Sequence, residues 1–167
     1  YSINEEYDKL LVAPHSVREG LIKRVKREIQ NSKLGKTSGI RIKCNSIVDE
    51  KTIDALYEAS SYGVKVDLVI RGMCALKPEV PGLSENITVR SILGRFLEHS
   101  RIYEFANDGN TEVWIGSADL MHRNLDRRVE ALVQLEDKEH ISYLSALLDL
   151  CLSNETSHWS LDCDSKW

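Results

Sequence analysis

Val17, Leu21, Val25 and Ile29 recur every fourth residue, with Ile22 beside them. This spacing predicts an amphipathic helix, and Ser16 stands at its N-cap. Its outer positions, Arg18, Lys23, Arg24, Lys26 and Arg27, make a basic face. A solvated surface is the simpler reading of that face; a surface for a polyanion or an acidic neighbouring domain is the sharper one. Ahead of the helix, residues 1–8 read as a polar lead-in and Leu10–Ala13 as a short strand stopped by Pro14. After a turn at Gly35–Gly39, Ile40–Cys44 alternates as a strand. Asp49 then caps a second helix with Ile53, Leu56 and Tyr57 inward, ending near Gly63. In Val64–Ile70, Val64, Val66, Leu68 and Ile70 share one face of a strand, and Lys65, Asp67, Val69 and Arg71 share the other. Arg71 thus stands at a strand's carboxyl end, the edge where open α/β sheets gather ligands. Residues 74–86, with Pro78, Pro81 and Gly82, read as a loop, and Ile87–Ile92 as a further strand.

Residues Gly94–Phe105 and Glu112–Asp119 read as two strands joined by a tight turn at Asn107–Asn110, where Asp108-Gly109 supplies the positive-φ positions. On the first strand His99, Arg101 and Tyr103 fall on one face. On the second, Val113, Ile115, Ser117 and Asp119 do so. Leu125–Leu135 alternates again, with Val129, Ala131 and Val133 one way and Asp126, Arg128 and Glu130 the other. Asp137 caps a last helix with Ile141, Leu144, Leu148 and Cys151 on its buried side. The order β-α-β-α-β, then three strands and a helix, predicts an α/β domain with a mixed β-sheet flanked by helices. Residues 1–155 form the single domain expected, and residues 156–167 a tail, the start of a truncated C-terminal extension.

The chain has 167 residues, 42% of them hydrophobic and 29% charged, which suits one domain with a core and excludes a disordered chain. The net charge of −4 argues against a nucleic-acid binder that relies on overall basicity. Between Arg71 and Arg128, eight Lys/Arg face eight Asp/Glu, so any local positive focus depends on the fold. Cys44, Cys74, Cys151 and Cys163 show no C-x-x-C pairing, and no long apolar run is present. A reduced, cytoplasmic protein with no transmembrane segment is the expectation, peripheral membrane association being left open. The first residue is Tyr1, so the chain reads as an excised domain of something longer.

His99, Arg101 and the Ser117/Asp119 pair suit an anionic phosphoryl group: Arg neutralises charge through a fork of donors, and His carries a proton or a phosphate. Arg71 and Arg128 occupy candidate positions at the sheet edge. Arg101 has two readings of equal weight, a phosphate ligand or a partner for a carboxylate such as Glu130. Ser117 and Asp119 read as orienting groups for the backbone and His99, and no base is legible beside Ser117 to make it a nucleophile. The remaining histidines, His15, His122, His140 and His158, lack ligand spacing with one another or with Cys, so no metal site is assigned.

His99-Ser-Arg101 followed by Gly116-Ser-Ala-Asp119 resembles half of a phospholipase-D-like site, with H-x-K relaxed to H-x-R and Ala106 where the family places an acid. A longer set of motifs is similar to the last, phospholipase-D-like domain of bacterial polyphosphate kinases: Asn45-Ser-Ile-Val-Asp-Glu-Lys-Thr-Ile-Asp-Ala-Leu-Tyr57, Val69-Ile-Arg-Gly-Met-Cys74, Pro81-Gly-Leu-Ser-Glu-Asn-Ile87, Arg95-Phe-Leu-Glu-His-Ser-Arg-Ile-Tyr103, Gly116-Ser-Ala-Asp119 and Arg123-Asn-Leu-Asp-Arg-Arg-Val-Glu130. The resemblance implies reversible transfer of the ATP γ-phosphate to inorganic polyphosphate, with ATP/ADP and polyphosphate as partners. It implies Mg2+ held mainly outside this domain, missing upstream domains of the same chain, and a homo-oligomer at full length. It places His99 on the second essential histidine, a proton donor to the nucleotide phosphates, Arg71 on a nucleotide-phosphate arginine, and Arg128 in the active site. A half-site inactive alone is then expected. Two alternatives compete: a phospholipase-D-like phosphodiesterase or nuclease completed by homodimerisation, and a non-catalytic polyanion-binding module.

Overall fold

The computed structural model describes residues 7–167, so most of the lead-in read over residues 1–8 lies outside the described residues. Eight strands form one sheet: β1 (Leu10–Val12), β2 (Ile40–Cys44), β3 (Val66–Ile70), β4 (Ile87–Ile92), β5 (Ile102–Phe105), β6 (Glu112–Gly116), β7 (Ala131–Gln134) and β8 (His158–Ser160). Their order across the sheet is β1-β7-β6-β5-β2-β3-β4-β8. β2, β3 and β4 run parallel, and every other pairing is antiparallel. The fold is therefore mixed α/β, as the element order predicts.

Helices α1 (Val17–Lys33) and α2 (Glu50–Ser61) cover one face. Val17, Leu21, Val25 and Ile29 are each 2% exposed or less, packed with Leu56, Leu68, Tyr103, Phe105 and Trp114. On the opposite face α4 (Lys138–Leu152) packs Leu148, Leu144 and Ile141 on Ile102, Val113 and Ile115. α2 and α4 start as the side chains of Asp49 and Asp137 accept the N–H groups of Thr52 and Glu139. Ser16 makes no such bond; its hydroxyl turns back to Val12. No helix among the described residues is long and apolar enough to cross a membrane.

Several expectations are corrected. The basic face of α1 is not simply solvated: Arg18 pairs with Asp49 and Asp126, and Arg24 and Arg27 pair with Glu112. Only Lys23 and Lys26 of that set are exposed. The strand expected from Gly94 begins only at Ile102, because Lys43↔Ile102 is the last pair β2 offers and residues 93–100 have no strand to join. Residues 125–135 are not one strand. α3 (His122–Asp126) precedes β7, and within β7 only Leu132 is buried, while Val129, Ala131 and Val133 are exposed. The boundary after residue 155 does not hold, since β8 pairs with β4 as an edge strand and Leu161 is buried.

β6 ends where the backbone comes closest to β7. A Cβ on Gly116 would lie 1.9 Å from the Ala131 carbonyl oxygen, a backbone atom that cannot swing aside. Gly116→Ala is expected to destabilise the domain by at least the upper part of the usual overpacking range of about 1–3 kcal/mol. Gly94→Ala, with open space around the added carbon, serves as the near-neutral control in the same urea titration.

Candidate active site at the carboxyl edge of the sheet

The chain leaving β2 forms the floor of the site. Ile47 bridges in parallel to Cys74 on one side and Leu120 on the other, so the segments after β2, β3 and β6 meet. Gly72 permits this approach: its N–H donates to the Asn45 carbonyl at 2.6 Å, and a Cβ there would meet that oxygen at 2.9 Å and the Ser46 hydroxyl at 2.8 Å. Above the floor opens a cleft of about 520 Å³.

All seven residues singled out in the sequence line this cleft: Arg71, His99, Arg101, Ser117, Asp119, Arg128 and Glu130. They do not reach it as a continuous sheet face. β6 has ended before Ser117, and His99 lies outside any strand. Arg101 holds the parts together. Its Nε and Nη2 donate to Asp119 Oδ1 and Oδ2 at 3.2 and 2.9 Å, a two-pronged pairing. Its carboxylate partner is therefore Asp119, not Glu130. Its Nη1 lies 3.1 Å from His99 Nδ1 and donates to the His99 carbonyl. A guanidinium only donates, so Nδ1 accepts and the ring proton sits on Nε2. Asp119 orients His99 through Arg101, whereas the Ser117 hydroxyl accepts the Ala131 N–H and braces the backbone.

In the sequence Asn45 stands only as the first residue of a motif, with no role in the site assigned to it. Its backbone N–H and side-chain Nδ2 donate to Asp119, and its Oδ1 accepts Arg71 Nε at 3.0 Å. One amide thus ties Arg71 to the Asp119–Arg101–His99 chain. Burial alone raises the Asp119 pKa, but the bonds from Arg101 and Asn45 outweigh it and hold the carboxyl below the ordinary range. Bonding to Asp119 raises Arg101 in turn, despite its partial burial.

Arg123 is a second addition, carried into the cleft by α3 together with Asn124, whose Nδ2 donates to Glu130 at 2.7 Å. In the sequence Arg123 stands only as the first residue of a motif, just ahead of the stretch Leu125–Leu135 that reads as a strand, and α3 is not expected there. Among the described residues, Arg123 and Arg128 have no ion-pair partner, and Arg71 bonds only the neutral Asn45 amide through its side chain. Glu130 is the cleft's one carboxylate outside an ion pair. Three guanidiniums outside ion pairs against one such carboxylate leave the concave wall net positive, which attracts a polyanion.

The donor set fits a dedicated metal seat poorly: both Asp119 oxygens are committed to Arg101 and Asn45, and Glu130 stands as a lone carboxylate among guanidiniums. Asp49, Glu50 and His122 come close to one another elsewhere, but none lines the cleft, and Asp49 is committed to Arg18 and Thr52. Cys44, Cys74, Cys151 and Cys163 are all free thiols.

This fold is shared with Nuc, a phospholipase D family member from Salmonella typhimurium, at TM-score 0.61 and 17% identity over 90% of this chain and 96% of that one. The class is thus a phospholipase-D-like α/β domain with an arginine-lined cleft at the carboxyl edge of its sheet. The crystal structure of polyphosphate kinase from Porphyromonas gingivalis superposes at TM-score 0.92 and 37% identity, covering 96% of this chain and 25% of that one. The polyphosphate kinase of Streptomyces coelicolor is 56% identical over 167 residues, all of this chain and 22% of that protein. Residues 10–167 match the family model "Polyphosphate kinase C-terminal domain 2", and the chain belongs to that family. It spans about a quarter of the length of these relatives.

Proposed function

We propose that this domain supplies one half of the active site of a polyphosphate kinase, which moves the γ-phosphoryl group of ATP reversibly to inorganic polyphosphate. The observation that carries this reading is the set Arg71, Arg123 and Arg128, free of ion pairs in one cleft with His99. In the transfer, the bond from the γ-phosphorus to the bridging oxygen of ADP breaks, and a bond to the acceptor oxygen forms. Charge spreads over the equatorial oxygens, and fixed cations stabilise it. Arg71 and Arg128 take the nucleotide phosphates in this reading, and Arg101 acts by holding His99. With Nδ1 occupied by Arg101, His99 presents Nε2–H, a donor to a phosphoryl or departing oxygen. That state suits a donor better than a nucleophile.

The same groups make this domain a half-site. Ser117 is engaged with Ala131, no base adjoins it, and His99 carries its ring proton on Nε2. The cleft thus offers no protein nucleophile, and a covalent phospho-enzyme on the route to the acceptor oxygen would form on another part of the longer protein. Mg2+ has no dedicated seat among these side chains, so the ion is assigned to the nucleotide phosphates and to residues outside this domain. A cytoplasmic location is supported by the four free thiols.

The test compares the full-length protein with residues 1–167 alone, each given ATP and Mg2+. Polyphosphate is expected from the full-length protein only. The isolated domain, shown folded by circular dichroism, is expected to bind polyphosphate in a salt-sensitive manner without making it. Robust synthesis by the isolated domain contradicts the half-site reading.

A further inference from the structure

The segment that carries His99 connects β4 to β5 without regular structure, and residues 93–100 are all exposed. Its ends are fixed by the Leu93 N–H on the Ser157 carbonyl and by Arg101 on Asp119. Between those ends, among the described residues, the bonds from residues 94–100 to the body of the domain outside Arg101 converge on one group, the ammonium of Lys43. Its Nζ lies 3.2 Å from Glu98 Oε2, 2.9 Å from the Ser100 hydroxyl and 3.5 Å from the Ser100 carbonyl. Lys43 belongs to β2, and its side chain is 3% exposed. A lysine is almost never this buried without partners. An ammonium has three protons to donate, and here three oxygens face it.

Glu98 and Ser100 are the two neighbours of His99. Lys43 thus holds the Glu98 carboxylate on one side of the imidazole and the Ser100 hydroxyl and carbonyl on the other, while Arg101 holds the ring at Nδ1. The purpose of such a double hold is orientation, because a side chain on a free exposed loop samples many directions and few of them aim a donor at a phosphoryl oxygen. We propose that Lys43 is a positioning residue for His99: it tethers residues 98 and 100 to β2, so that the imidazole meets the bound phosphates in one orientation. This rests on the reading of His99 as an acting group.

The test uses Lys43→Met in the full-length enzyme, which keeps the length of the side chain and removes the donors. Glu98 faces solvent, so the change strands no buried carboxylate. Tryptic cleavage after Arg95, inside the exposed segment, is expected to quicken about tenfold or more while the helices stay uncut. The kcat for polyphosphate synthesis is expected to fall about tenfold, with KM for ATP within about twofold of its original value. Ser100→Ala removes the 2.9 Å bond alone and is expected to move cleavage and kcat the same way, by less. That variant decides the matter if Lys43→Met fails to fold. Unchanged cleavage after Arg95 overturns the tether; faster cleavage with unchanged kcat overturns the positioning role. His99→Ala with full turnover would instead overturn the functional reading and leave the cleavage result standing.

Discussion

His99→Ala in the full-length enzyme is expected to lower kcat for polyphosphate synthesis by about 10²–10³-fold, the usual cost of removing one hydrogen-bond donor aimed at developing negative charge. The melting temperature is expected to stay where it is, because His99 is exposed and its removal opens no cavity. The effect should fall on kcat and kcat/KM together, since the donor strengthens as negative charge builds on the departing oxygen. Binding of ATP should change little: the guanidiniums of Arg71, Arg123 and Arg128 remain in the cleft. Steady-state kinetics on the variant separates these possibilities. Unchanged turnover would remove His99 from the chemistry and leave the cleft as a polyanion-binding surface.

Where one face of an element is buried, its boundaries are legible from spacing. α1, α2 and α4 obey this, because a helix stripe of Val, Leu and Ile records the core it covers. Strand ends are less legible, since alternation continues past the point where a partner stops. His99, Arg101 and Tyr103 keep the two-residue spacing of a strand, yet β2 pairs with no residue before Ile102. Leu125–Leu135 reads as one alternating stretch too, yet Leu125 belongs to α3 and β7 begins only at Ala131. The ion pairs of α1 are invisible for a related reason. Arg18, Arg24 and Arg27 reach carboxylates 31 to 108 residues away, which no local pattern encodes. His99, Arg101, Ser117 and Asp119 were legible because they cluster in H-x-R and G-S-x-D, and Arg71 and Arg128 because they fall at the sheet edge and in longer motifs. Asn45 was not, because its role exists only where three segments converge on its amide.

Asp119→Ala is expected to cost about 3–5 kcal/mol of stability at neutral pH, the range for removing one partner of a buried ion pair. Arg101 would keep its charge with a side chain only 13% exposed, and the Asn45 N–H and Nδ2 would lose their acceptor together. Function is expected to fall as well, because Arg101 then has no fixed anchor from which to hold His99 Nδ1. The pH dependence separates this cause from a simple packing defect. The Asp119 carboxyl is held below its ordinary value in the folded state, so its contribution is full above the unfolded value of about 4. That contribution drains away as pH falls through the lower folded value, where the folded carboxylate finally takes up a proton. The gap between the original protein and Asp119→Ala, read from urea midpoints, should therefore narrow on acidification below about pH 4. A lost packing contact has no such proton to bind, so a gap that stays constant across the acid range would mean that Asp119 supports the cleft by shape and not by charge.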